Sequence, residues 1–143
     1  MQNNAASIQG VVLGLDVGDV RIGVARAHSF ARLPEPVEVV DRKKLDAVAR
    51  IKSLAEEHEA EAFIIGIPAF ASGKEGPQAE AVRNFSKALH DAVGLPQIYV
   101  DESYTSSEAD TFLASKNWKK QTSNDALAAC LILERYFTEN AHV

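Results

Sequence analysis

Two short runs near the start of the chain, 11–17 and 20–27, are apolar and rich in Val and Ile, with Gly18 and Asp19 between them. That arrangement predicts two antiparallel strands joined by a tight turn. Pro34 and Pro36 mark a loop ahead of a third short strand over 37–40. Over 44–58, Leu45, Val48, Ala49, Ile51, Leu54 and Ala55 recur at helical spacing, which predicts an amphipathic helix. The stretch 62–67 is apolar at successive positions and ends before Pro68, the pattern of a mid-sheet strand covered on both faces. Pro77 suits a first helical turn, and Val82, Phe85, Leu89 and Val93 continue that helix to Gly94 and Pro96. A strand over 97–101 follows. Thr105 and Glu108 form a capping box for a helix to about Ala114, and Ser123 is placed to cap a last helix that buries Leu127, Leu131 and Phe137.

The order βββαβαβαα predicts an α/β domain built on a mixed five-stranded sheet, three antiparallel strands followed by parallel ones, with helices on both faces. The domain is expected over 8–139, with 1–7 and 140–143 as flexible termini. At 143 residues and 46% hydrophobic, the chain can bury one real core. It contains no run of roughly 20 apolar residues, and its first ten residues lack the basic start and long apolar stretch of a secretory signal. The expectation is a cytoplasmic protein with no membrane partner. Cys130 is the single cysteine, which excludes an internal disulfide and a cysteine-based zinc site, and it lies on an apolar helical face as core filler. His28, His58, His90 and His142 never form a close helical pair, so a zinc enzyme is not expected.

The acids change the picture. Asp16 interrupts the first apolar run, and a carboxylate buried there without a partner is costly. Strand alternation puts Gly14 and Gly18 on its face, leaving space for an ion or a phosphate; the alternative is an ion pair with Arg21 or Arg26. Asp101 and Glu102 close the 97–101 strand, at the edge where open α/β sheets place ligands, and only one of them can point into a site there. Asp125 falls in the first turn of the last helix, where the helix dipole alone would favour it. Together the three stations supply the oxygen ligands that Mg²⁺ or Mn²⁺ takes. A formal charge of -5 argues mildly against non-specific nucleic-acid binding, an objection that cations bound among clustered acids would weaken. Arg21, Lys74, Lys116, Lys119 and Lys120 are candidates for backbone phosphates, and Trp118 for stacking on an unpaired base. For the 116–120 run a solvated helix end is the simpler reading, and for Lys74 an ordinary connecting loop.

Three segments jointly give a resemblance. The opening motif over 16–25, the central Gly66, Ile67 and Pro68 followed by 73–78, and the acidic stations Asp101-Glu102 and 125–129 resemble those of the YqgF/RuvX family of ribonuclease H-like proteins. That family is described as Holliday junction resolvases and pre-16S rRNA nucleases. The resemblance spans nearly the whole chain and implies that Asp16, Glu102 and Asp125 are the catalytic metal-binding acids, with Asp101 the substitute for Glu102. It implies Mg²⁺ or Mn²⁺ as cofactor, pre-rRNA or branched DNA as substrate, ribosomal particles as partners, and a monomer or homodimer. Ser103 stands where the family commonly has arginine, and 121–124 replaces a usual Lys-Gly segment. Both departures remove positive charge that phosphate contacts use.

The leading expectation is therefore a metal-dependent endonuclease of rRNA maturation. A Holliday junction resolvase is the nearest alternative and would need two paired sites. A non-catalytic nucleic-acid-binding module is the alternative of a different class. A sugar-kinase-like phosphate loop around Asp16 is set aside, because the chain is too short for a two-domain clamp.

Overall fold

The protein, seen in a computed structural model, is described over residues 8–68, 76–102 and 124–140. The expected helix over 105–114, the Ser123 cap and residues 1–7 and 141–143 fall outside these residues. Strands β1 (Val11–Val17), β2 (Arg21–His28) and β3 (Glu35–Asp41) form an antiparallel meander. Helix α1 (Ala47–Glu57) leads to β4 (Ala60–Ile67), and α2 (Pro77–Ala92) to β5 (Gln97–Asp101), each new strand parallel to the one it joins. Helix α3 (Asn124–Glu139) closes the described chain. The sheet order is β3-β2-β1-β4-β5, so the Asp16 strand is central.

Strand alternation sorts the core into two layers. Leu13, Leu15, Val17, Ile22, Val24, Phe63 and Ile65 face α1 and α2, packing on Ile51, Leu54, Val82, Phe85 and Leu89. Val12, Ala25, Ala27, Ala62 and Ile64 face α3 and meet Leu127, Ile132, Leu133 and Tyr136. Cys130 is fully buried in this second layer, in keeping with a packing role. Each fully buried Leu, Ile or Phe contributes about 1.5–3 kcal/mol relative to exposure, so both layers stabilise the sheet strongly.

Three local expectations are corrected. The first hairpin turns at Asp19 and Val20 rather than at Gly18 and Asp19, closed by Gly18 N–H donating to the Arg21 carbonyl at 2.9 Å. Helix α1 starts at Ala47 instead of residue 44, because the Asp46 side chain accepts the Ala49 N–H at 3.2 Å and so caps the helix. The Asp41 carbonyl takes the N–H groups of Lys44 and Leu45 in a preceding turn, which leaves Leu45 46% exposed. Strand β3 runs through Pro36, where a loop was expected; as an edge strand it tolerates the missing N–H, and the register shifts opposite Pro36.

Helix α3 lies almost directly on the sheet. A Cβ at Gly14 would stand 2.8 Å from the Ala129 carbonyl oxygen, and one at Gly23 only 1.9 Å from that of Asp125. The space for an ion that the alternation of Gly14 with Asp16 had suggested is therefore absent at Gly14; the helix fills it. Gly23→Ala should push α3 off the sheet and destabilise the protein by at least about 1–3 kcal/mol, read as a lowered denaturant midpoint.

Candidate active site

The site lies where the carboxyl ends of β1, β4 and β5 meet the amino end of α3. Asp16 pairs across the hairpin with Gly23, and Gly23 is the residue on which the Asp125 backbone rests. On the other side of β1, Gly66 lets the chain approach closely: a Cβ there would be 3.2 Å from the Glu102 Cβ. Glu102 itself is held by its N–H donating to the Ile67 carbonyl at 3.2 Å. Two glycines thus place the acids on either side of Asp16.

Asp16 and Glu102 share a hydrogen bond. Burial, the hydrogen bond to Asp16 and the Asp16 charge push the Glu102 carboxyl up to about 8, with Asp101 adding to the repulsion. Glu102 therefore keeps its proton at neutral pH and donates it to the Asp16 carboxylate. Burial also raises Asp16; the bond from Glu102 opposes that rise, and the Asp125 charge adds to it. This is how two neighbouring carboxyl groups are tolerated when partly withdrawn from water.

Asp125 has a different partner. Arg21 Nε donates to its Oδ2 at 2.7 Å, with the two side chains 57% and 32% exposed. Arg21 is thus committed to Asp125 and not to Asp16, and Arg26 pairs instead with Glu35 at 2.9 Å. Among the described residues, no three His, Cys, Asp or Glu side chains are already gathered as a metal cluster. The all-oxygen donor set of Asp16 and Glu102, with Asp125 close enough to be felt electrostatically, nevertheless fits a hard divalent cation. Such an ion would replace the proton that now relieves the pair.

Of the other expected contacts, Lys74, Lys116, Trp118, Lys119 and Lys120 lie outside the described residues. Arg42 is a contributor that sequence reasoning missed. Its Nη1 donates to the Gly18 carbonyl at 2.8 Å, its backbone N–H to the Val20 carbonyl at 2.8 Å, and its guanidinium lies 5.1 Å from the centre of the Phe85 ring. Arg42 therefore pins the turn that follows Asp16. The basic run Arg42-Lys43-Lys44 was the available signal.

A mixed sheet of this order, with an acid on its central strand, a second just past edge strand β5 and a third at the start of α3, is that of the ribonuclease H-like fold. The protein belongs to the RuvX family, described as Holliday junction resolvase, which matches residues 10–139. Relatives named "Putative pre-16S rRNA nuclease" include one from Fusobacterium nucleatum, 36% identical and covering 87% of this chain and 94% of its own. Another, from Methylobacillus flagellatus, is 36% identical and covers 96% of this chain and 97% of its own. The fold is similar to that of Thermus thermophilus RuvC, solved in complex with a Holliday junction, at a TM-score of 0.64 and 15% identity, covering 93% of this chain and 96% of that one. Among the described residues no helix is long and apolar enough to cross a membrane.

The raised Glu102 gives a stability signature. Its folded-state pKa of about 8 exceeds the ordinary 4.5, so the folded protein binds the extra proton between those values. Metal-free stability should be greatest below about pH 4.5 as far as this group is concerned, and should fall as pH rises towards 8. Glu102→Gln should flatten that slope, checked by urea unfolding in EDTA at pH 5.5 and 8.

Proposed function

We propose that the protein is a divalent-metal-dependent endonuclease that hydrolyses phosphodiester bonds in maturing the 5′ end of pre-16S rRNA. The observation that carries the reading is the placement of Asp16 beside Glu102, two half-buried carboxyl groups side by side at the carboxyl edge of a ribonuclease H-like sheet. Asp16, Glu102 and Asp125 are the residues that would hold Mg²⁺ or Mn²⁺. A divalent cation held there would supply an activated water and charge neutralisation at the leaving oxygen. The protein's own part is to fix the carboxylates: β1 and the Gly66 approach set Asp16 against Glu102, and the seat on Gly23 brings in Asp125. Asp101 contributes charge beside Glu102. Arg21 is the described cation nearest these acids and is suited to a phosphate oxygen.

The substrate class follows the names of the relatives, and a cytoplasmic enzyme meeting ribosomal particles is consistent with it. The family's description favours a second substrate, a four-way DNA junction, which would call for a homodimer with two sites.

The test is cleavage of precursor rRNA leader, a four-way DNA junction and single-stranded controls, with Mg²⁺, Mn²⁺ or EDTA. Cutting of the rRNA leader that needs the metal is the expected result. Asp16→Asn should lower it by more than the roughly 100-fold that loss of an outer partner of a metal ligand costs. The variant should stay folded by circular dichroism, since it removes a charge from a half-buried pair of acids. A junction cut in preference to the leader would move the assignment to resolvase, and binding of either without cutting, at any metal concentration, would make this a binding module.

A further inference from the structure

Arg21 sits at a point of conflict. It opens β2, its backbone carbonyl is held by Gly18 N–H at 2.9 Å, and it pairs in register with Asp41. Only the side chain is free to move, and it is more than half exposed, so turning it costs little packing. Its guanidinium now occupies Asp125, and no three-acid cluster is assembled among the described residues. Guanidinium matches carboxylate and phosphate with the same forked donors, so one side chain can serve either partner.

We propose that Arg21 is a partner-exchanging positioning residue, holding Asp125 in the metal-free protein and passing it to the divalent cation as the guanidinium turns to a phosphate of the nucleic acid. The inference rests on the nuclease reading and deepens it. Two cations cannot both claim the Asp125 carboxylate without repelling each other, so metal entry disfavours the Arg21 contact. A phosphate close by gives the displaced guanidinium a new anion. Metal and nucleic acid therefore each remove an obstacle to the other, and by linkage the coupling is reciprocal.

A double-mutant cycle over Arg21→Gln and Asp125→Asn tests this, with Mn²⁺ affinity read by calorimetry and affinity for a leader RNA oligonucleotide read without metal. Arg21→Gln should tighten Mn²⁺ by about two- to fivefold, the scale of an exposed ion pair. That gain should vanish in the Asp125→Asn background, because it passes through Asp125. RNA affinity should fall in both backgrounds, and Arg21→Lys should restore part of it. A merely structural role would weaken Mn²⁺ and RNA binding together, which overturns the proposal. So would a gain in Mn²⁺ affinity that persists in Asp125→Asn, since it would reflect only charge at a distance. Should Arg21→Gln unfold, the same cycle with Arg21→Lys carries the test with a smaller expected change. Wild-type protein that binds no Mn²⁺ would instead remove the nuclease reading itself, whereas Mn²⁺ binding with an unchanged Arg21→Gln affinity would remove only the exchange.

Discussion

The seating of α3 on the bare backbone of the sheet is the constraint on which the site depends. At Gly23 the Asp125 carbonyl fills the position a Cβ would take, and at Gly14 the helix comes nearly as close. Ordinary side chains between the layers would hold the helix several ångströms higher and carry Asp125 away from Asp16. Gly66 does the same for the chain end at Glu102. Close packing and the placement of chemistry are here one fact, since each missing side chain sets the separation of two acids.

That closeness has an electrostatic cost that the protein meets in two ways. Within the deeper pair a proton is retained, which makes Glu102 a donor to Asp16. At the more exposed acid, Arg21 supplies the opposite charge. Two half-buried carboxyl groups side by side gain nothing for stability over apolar residues of the same volume, so their placement at the carboxyl end of the sheet marks a candidate functional site. The turn beyond Asp16 is braced from the opposite face of the sheet, through Arg42 and the Phe85 ring, which limits how far the first acid can move.

Much of the scaffold was legible in the sequence, because strand alternation and helical spacing record which face of each element is buried. The β1–β2 hairpin, the parallel β4 and β5, and α2 beginning at Pro77 all follow from that record. So did Asp16, which breaks an apolar run. What a one-dimensional pattern does not contain is the distance between elements. Gly14 looked like room for a ligand, and only the position of α3 shows that the helix occupies it. Asp16 looked like a partner for Arg21 or Arg26; both arginines are taken by other acids. The start of α1 was misplaced because Leu45 matched the helical period while Asp46 held the stronger local signal, a side chain able to cap. Between Asp101 and Glu102 the strand pattern alone offered no choice and only the family resemblance favoured Glu102; the approach at Gly66 brings Glu102 to Asp16.

The chain distance across the site is large: Arg21 and Asp125 are 104 positions apart, whereas β1, β2 and β3 pair with their immediate neighbours in sequence. Local pairings close small loops and form readily, while a contact of this span must wait until the hundred or so intervening residues have been made. During synthesis, the meander bearing Asp16 leaves the ribosome long before the helix that brings Asp125. A nascent or truncated chain lacking α3 lacks Asp125 and its seat on Gly23, so the candidate site waits on the docking of that helix.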